Sequence, residues 1–281
     1  MRCPVVAGAF YALDADELKN QIKACFLSKF GPGKLPKKDK KQGLKGVIVP
    51  HAGYSFSGPC AAHSFKAIAE AEKPDLFIIL GFSHSGLGSS ISLEDWQTPL
   101  GIAKVDKDFG KRLVEAGIPQ DELAHANEHS VEVQLPFLQF LFDDFKFVPV
   151  MVSDDYKKLA EIIKNVLKKS KKTAVLIASS DFTHYGRDYG FVPFEEDIKE
   201  KMYALDAGAI NEIKKIDAKK LIDYVNKTGA TICGKNAIAA LLECINPAKA
   251  ELLKYYTSAD IYDNDYSMAV GYAAVSFLHK E

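Results

Sequence analysis

The chain has few of the features that would assign it to a specialised class of protein. Its five cysteines are odd in number and form no CxxC pair, which argues against a disulfide framework or an all-cysteine zinc site. Its net charge of −1 predicts no electrostatic attraction to nucleic acid or to an anionic membrane. No apolar run approaches the ~18 residues of a spanning helix, and the N-terminus lacks the apolar core of a secretory signal. We therefore expect a cytoplasmic protein.

What the chain does have is a regular alternation of strand-like and helix-like segments. Its 281 residues, 47% of them hydrophobic, are enough for one large α/β core. This alternation predicts a three-layer α/β/α sandwich with a mixed, mostly parallel central sheet, in one domain over residues 1–281. The basic run 34–41 is interpreted as a solvated linker. Helices are predicted near 14–31, 59–72, 108–116, 156–169, 195–215, 219–226 and 235–244, a loop leading into a helix over 127–142, and closing strands over 252–257 and 268–277.

Three apolar runs, each typical of a buried strand, stop at a polar loop that carries a histidine. Residues 47–49 lead to His51, residues 76–80 to His84, and residues 174–178 to His184. In open α/β sheets, ligands bind outside the carboxyl ends of parallel strands, so these loops are expected to meet in one crevice. The pattern predicts a metal or acid/base centre there.

His51 and His84 lie in turns that contain proline or glycine. Proline restricts the backbone, and glycine allows the backbone to approach its neighbours closely. Pro50 precedes His51 and Gly53 follows it, while glycines bracket His84. Neutral imidazole is the commonest metal ligand, and it needs a firmly oriented ring. Two histidines in matching positions favour a functional role over the alternative that each one simply hydrogen-bonds within its loop.

Cys233 is the cysteine that we single out for chemistry. A predicted helix begins directly after it, and Lys235 is close in sequence. A helix N-terminus and a nearby cation both lower the pKa of a thiol, and the thiolate is the form that binds metal or attacks. The alternative is a buried structural cysteine.

Asp181 and His184 share one loop and predict an acid/base pair. A carboxylate beside an imidazole can fix the tautomer of the ring and raise its basicity. The alternative is that Asp181 serves as a turn or cap residue.

A second polar cluster precedes the helix predicted before residue 142. Glu128 and His129 are predicted to line the same crevice and to contact a substrate, and His125 is expected in the same loop. The alternative is that this cluster caps the helix, through Asn127 or Ser130.

Taken together, these segments resemble the Memo family, which is similar in fold to the class III extradiol (LigB-like) dioxygenases. Each segment alone is weakly specific, but they occur in the order of the family and cover nearly the whole chain. The matching segments are PVVAGAFY (4–11), VPHAGY (49–54), GFSH (81–84), EHSVEVQLPFL (128–138), SDFTHYG (180–186), Cys233-Gly234 and MAVGY (268–272).

The resemblance implies a three-ligand metal site at His51, His84 and Cys233. It also implies that Asp181 and His184 lie where the related dioxygenases keep an acid/base histidine and its neighbour. Those dioxygenases hold Fe(II) with two histidines and a carboxylate, so a cysteine in the third position is a departure. Iron is the expected ion, and the softer thiolate makes copper or zinc more competitive.

The sequence is compatible with three functions. The first is a metal-dependent, redox enzyme with an open two-His/one-Cys site that takes a small molecule or peptide. The second is metal-free covalent catalysis with Cys233 as nucleophile, His184 as base and Asp181 as orienter.

The third function is a peptide-binding adaptor without catalysis, because one member of the family binds phosphotyrosine peptides. Phosphopeptide readers use clustered arginines, and the three arginines here, Arg2, Arg112 and Arg187, are dispersed in sequence. The resemblance also implies a radical-SAM protein partner in prokaryotes.

Overall fold

The structure is a computed structural model that describes residues 1–37, 43–245 and 248–279. Within these ranges, ten strands form one sheet, and helices cover both of its faces. The strands are β1 (Leu44–Val49), β2 (Leu76–Phe82), β3 (Ser90–Ile91), β4 (Trp96–Thr98), β5 (Gly101–Val105), β6 (Lys146–Val152), β7 (Ala174–Ser179), β8 (His184–Gly186), β9 (Ala248–Thr257) and β10 (Met268–His279).

The helices connect these strands and close the molecule. They are α1 (Ala15–Leu27), α2 (Tyr54–Ala69), α3 (Lys107–Glu115), α4 (Glu122–Ala126), α5 (Leu135–Leu141), α6 (Tyr156–Ser170), α7 (Ile198–Lys214), α8 (Ala218–Thr228), α9 (Lys235–Ile245) and α10 (Ser258–Ile261), with short 3-10 helices at Glu132–Gln134 and Arg187–Tyr189. None of the helices in the described ranges is long and apolar enough to cross a membrane.

The sheet has a parallel centre and antiparallel additions. Its main path runs β4-β5-β6-β2-β7-β1-β10-β8, with β3 beside β6 and β9 beside β10. The strands from β5 to β1 along this path are parallel to one another, whereas β10 is antiparallel to β1, β8 and β9. The predicted mixed sheet is therefore confirmed.

Successive side chains of the central strands point to opposite faces of the sheet, and this divides the core into two layers. In β2, Leu76, Ile78 and Leu80 face the core made with α3 and α6 to α9, whereas Phe77 and Ile79 face α1, α2 and α5. Successive side chains of a strand point to opposite faces, so a strand buried on both faces is apolar throughout. The predicted three-layer α/β/α architecture is confirmed.

The start of α2 differs from the prediction. The helix begins at Tyr54, not at Pro59, which lies inside it. Proline and glycine in the first turns hide this start from sequence reasoning, but the Tyr54 N–H is satisfied by the Phe10 carbonyl at 2.7 Å. In contrast, the predicted cap of α1 is confirmed, since Asp14 accepts hydrogen bonds from two backbone N–H groups. Of the basic run 34–41, residues 38–41 lie outside the described residues.

This topology brings the histidine loops to one edge of the sheet. The parallel strands β1, β2 and β7 end next to one another, and their loops carry His51, His84 and Asp181. The segment before α5 and the start of β10 complete the same edge.

Candidate metal centre

Three histidines converge at the carboxyl ends of the parallel strands. His51, His84 and His129 each offer a ligand atom, and these three atoms lie within 4.8 Å of one another. In the described part of the chain, no other group of three histidine, cysteine or acidic side chains is this close. His129, which was predicted to contact a substrate, is therefore the third histidine of the cluster.

The tautomer of His51 follows from a serine hydroxyl. The Ser179 hydroxyl donates to the Ser130 carbonyl at 2.6 Å, so it accepts from His51 Nδ1 at 3.0 Å and from Gln134 Nε2 at 2.9 Å. The lone pair of His51 is therefore on Nε2. Burial lowers the pKa of His51 to about 3, so the ring is neutral at pH 7.

His84 is oriented by a buried carboxylate. Its Nδ1 donates to Glu128 at 2.9 Å, and the same carboxylate accepts the N–H groups of His84 and Ser130. Burial opposes ionisation, but these hydrogen bonds outweigh it and lower the pKa of Glu128 to about 2. Glu128 thus lies behind His84 and not in the cavity wall, and it leaves His84 Nε2 available, as in carboxylate–histidine–metal triads.

His129 packs between aromatic rings. It stacks on His84 with centroids 4.3 Å apart and meets Phe10 edge-on at 4.9 Å. Burial lowers the pKa of His129 to about 4, assisted by repulsion from His51 and His84. His51 and His129 are therefore neutral at pH 7, and a neutral imidazole has the lone pair that a metal ligand needs.

Cys233 lies beside His51. Its Sγ is 3.2 Å from His51 Nε2 and accepts the Asp181 N–H at 3.3 Å. Its hydrogen bonds in the described residues are with His51, Ser180 and Asp181, and none is with His84. The expected lowering of the thiol pKa is wrong for the protein alone, because burial raises the pKa of Cys233. Lys235, expected to assist, instead donates to Asn226.

Asp181 and His184 do not form the expected pair. Asp181 is buried and accepts the backbone N–H of His51 at 2.7 Å, and burial raises its pKa. His184 Nδ1 donates to the Thr231 carbonyl at 3.0 Å, so Thr231 and not Asp181 orients this ring. The Thr231 hydroxyl also bonds both backbone groups of His184 at 2.8 Å. His184 Nε2 is left for the cavity that the ring lines.

A second buried acid lies behind the His184 loop. Asp206 accepts the Thr183 hydroxyl at 2.5 Å and the Tyr255 hydroxyl at 2.6 Å. Burial outweighs these neutral donors and raises the pKa of Asp206 to about 6.

His125 is not part of the cluster. It lies in α4, 1% exposed, where its Nε2 is 3.4 Å from the Ser90 hydroxyl and its ring meets Trp96 edge-on. The expectation that it shares the loop of His129 is wrong, because α4 ends at Ala126 and directs His125 into the core.

A cavity of about 510 Å³ opens above the histidines. This size is typical of small-molecule sites. Its walls are mostly apolar and aromatic: Ala9, Phe10, Ala52, Gly53, Phe56, Tyr189, Ala259, Tyr262, Met268, Val270 and Tyr272, with His51, His84, His129, Asp181, His184, Ser258 and Asp265 as the polar members.

The N-terminal segment is anchored by a buried ion pair that no local sequence signal indicated. Arg2 contacts Glu132 at 2.6 Å, and both side chains are buried. Glu132 also accepts the Val5 and Val6 N–H groups and the Tyr11 hydroxyl. Because Arg2 and Glu132 are 130 residues apart, their pairing depends on the complete fold.

This anchor supports the histidine cluster from below. Arg2 donates to the Glu128 carbonyl at 2.6 Å, so it holds the residue that orients His84. The segment then brings Phe10 against His129. Arg2 and Glu132 therefore position the cluster without touching the cavity.

Comparison with known proteins identifies the family. A sequence model described as Memo-like protein matches residues 2–276. The chain is 41% identical to a MEMO1 family protein of Methanopyrus kandleri over 98% of each chain, and 37% identical to one of Methanothermobacter thermautotrophicus over 98% and 100%. An uncharacterized Escherichia coli K12 protein of known crystal structure shares the fold alone, with a TM-score of 0.50, 11% identity, and coverage of 83% of this chain and 99% of that one. The chain therefore belongs to the Memo family.

Proposed function

We propose that this Memo family chain is a metal-dependent redox enzyme that holds a transition-metal ion at His51, His84 and His129. The observation that carries the proposal is the convergence of three ligand atoms within 4.8 Å at the base of one cavity. Iron is the expected ion, and copper and zinc are the alternatives, because imidazole ligands suit all three.

The donor set fits such an ion. His51 and His84 have their Nδ1 atoms engaged by Ser179 and Glu128, which directs both Nε2 atoms to the cluster. Cys233 is the candidate fourth donor. Its Sγ lies 3.2 Å from His51 Nε2, so it is placed to act on the same ion as that ring.

Any of these ions would supply Lewis-acid chemistry, and iron or copper would also supply electron transfer, which zinc does not. His184 is the proton-transfer group in this proposal, because Thr231 holds its Nδ1 and leaves Nε2 for a ligand in the cavity. Phe10 and Tyr272 contribute apolar surface to the lining of the cavity.

Anaerobic purification followed by elemental analysis tests the proposal. We expect about one equivalent of iron, copper or zinc per chain, lost in His51→Ala and His84→Ala and retained in His63→Ala. His63 is the matched control because its ring bonds the Phe30 carbonyl, away from the cluster. An absence of stoichiometric transition metal from the unmodified protein, before and after anaerobic reconstitution with each ion, contradicts the proposal.

Two variants decide between the third ligands. If the three histidines bind the ion, His129→Ala lowers metal affinity more than Cys233→Ala does. The reverse order supports the His51, His84 and Cys233 set that the family resemblance implies. Affinities are measured by competition with a chromogenic chelator at one pH.

Metal-free covalent catalysis is a second candidate, favoured by the contact between Cys233 and His51. In this arrangement the base beside the thiol is His51, not His184 as sequence reasoning proposed. Burial raises the pKa of the thiol, which disfavours this candidate. Rapid alkylation of Cys233 at pH 7 in metal-free protein would support it, and slow alkylation would remove it.

A phosphopeptide adaptor is less well supported. No lysine or arginine is among the described residues that line the cavity, and phosphate recognition relies on such cations. The radical-SAM partner implied by the family resemblance stays a prediction.

A further inference from the structure

The outer half of the cavity is bordered by large apolar side chains that remain exposed. We call Phe56, Tyr189, Tyr262 and Met268 the rim; their exposed fractions range from 39% to 50%. Folded proteins rarely leave several such side chains together in water unless they bind something. The rings of Phe56 and Tyr262 lie 4.8 Å apart, and Tyr189 meets His184 at 5.0 Å. The rim is thus continuous with the histidine end of the cavity.

The charged group at the rim is a carboxylate. Asp265 is exposed there, and in the described part of the chain it forms no ion pair; its hydrogen bond is the local one from the Ser267 N–H. Lys199 interacts instead with Asp260 at 2.8 Å, and it does not line the cavity. The rim therefore contributes the Asp265 carboxylate and π faces, both of which attract cations, and the described lining of the cavity contains no lysine or arginine.

We infer that the cavity takes a small organic ammonium compound, with its cation at the rim against Asp265 and its apolar body directed toward the histidines. This inference rests on the proposed function only in taking the histidine end as the reactive end. The cavity volume of about 510 Å³ indicates a small molecule and not a protein segment. Tyr and Phe faces stabilise ammonium groups, so the exposed rings and the carboxylate act on the same charge.

A matched set of three probes tests the charge preference. The probes are 2-phenylethylammonium, 2-phenylethanol and phenylacetate, which share an aromatic body and differ at the charged end. Binding is measured by calorimetry and ligand-observed NMR, on the protein as purified and after removal of metal by a chelator. In the metal-free protein we expect the ammonium to bind about tenfold more tightly than the carboxylate, with the alcohol between them.

Two pairs of variants locate the preference. Asp265→Asn is expected to weaken ammonium binding about threefold to tenfold, whereas Asp263→Asn, an exposed neighbour outside the cavity lining, leaves it within about twofold. Tyr262→Leu is expected to weaken the ammonium about threefold and the alcohol less, since only the cation interacts with the π face. Leu252→Ala, an exposed apolar residue outside the cavity, is the control.

The inference is overturned if phenylacetate binds metal-free protein as tightly as the ammonium, if no probe binds, or if Asp265→Asn behaves like Asp263→Asn. These outcomes are separate from failure of the metal proposal, because elemental analysis tests the ion and the probes are titrated into protein without it.

Discussion

Glu128 and Asp206 are both buried carboxylic acids near the cavity, yet the fold moves their pKa values in opposite directions. Glu128 receives the His84 ring and two backbone N–H groups, which lower its pKa to about 2. Asp206 receives mainly neutral hydroxyls from Thr183 and Tyr255, and burial raises its pKa to about 6. Burial alone therefore does not set the charge of an acid; the donors that surround it do.

Another buried acid, Glu132, provides the largest expected effect. Arg2→Met removes its cationic partner and leaves the carboxylate unpaired in the core, which typically costs about 3–5 kcal/mol of unfolding free energy. The double variant Arg2→Met/Glu132→Gln should recover part of this loss. Urea denaturation measures both, and equal stability of the two variants would show that the charge is not the cause.

Asp206 is expected to make stability depend on pH. Its folded pKa of about 6 is above the ordinary aspartate value of about 3.8, so its stabilising contribution is complete below about pH 3.8 and is lost as pH rises through about 6. Relative to Asp206→Asn, the unmodified protein should therefore lose about 2 kcal/mol between pH 4 and pH 7. Parallel denaturation curves over this range would contradict the assignment.

Glu128 is expected to act on the metal more than on the fold. Glu128→Gln weakens the orientation of His84 and should lower metal affinity about 10- to 100-fold, as loss of such partners typically does. Glu122→Gln is the matched control, because Glu122 bonds Ser92 and Leu93 outside the cluster. Equal affinities in the two variants would remove the proposed role.

The smallest expected effect comes from removing one donor to Asp206. Tyr255→Phe removes one hydroxyl that donates to the Asp206 carboxylate and should cost about 1 kcal/mol at pH 7. The Asp206 carboxyl group should then titrate at a higher pH, because a hydrogen bond that favours its charged form is lost. NMR titration of the Asp206 carboxyl carbon measures the shift, and an unchanged or lower midpoint would count against this account.

The strand-end histidines were predictable because topology alone places such loops together. Hydrophobic runs located β1, β2 and β7, and the rule for parallel sheets brought His51, His84 and His184 to one edge. The three layers of the fold were predictable from the alternation of strand-like and helix-like segments along the chain. The position of Cys233 before a predicted helix singled it out, and resemblance to the family then implied its role as a ligand; its sulfur lies beside His51.

The other parts of the centre depend on packing that sequence spacing does not encode. His129 follows no strand, so its approach to His84 depends on how the segment before α5 packs. Thr231 orients His184 across 47 residues of chain, and the Arg2–Glu132 pair spans 130. The local sequence favours Asp181 as the partner of His184, because the two share a loop. In the folded chain it is the Thr231 carbonyl that accepts the hydrogen bond from His184 Nδ1.

The span of these contacts has a consequence for folding kinetics. The two ring nitrogens of His51 contact Ser179 and Cys233, which are 128 and 182 residues away along the chain. Contacts of such high sequence separation form late, after loop closure has been completed. A partly folded chain that has not yet closed these loops therefore lacks the contacts that orient the His51 ring. If the chain binds an ion as proposed, ion binding during refolding would report when these contacts form.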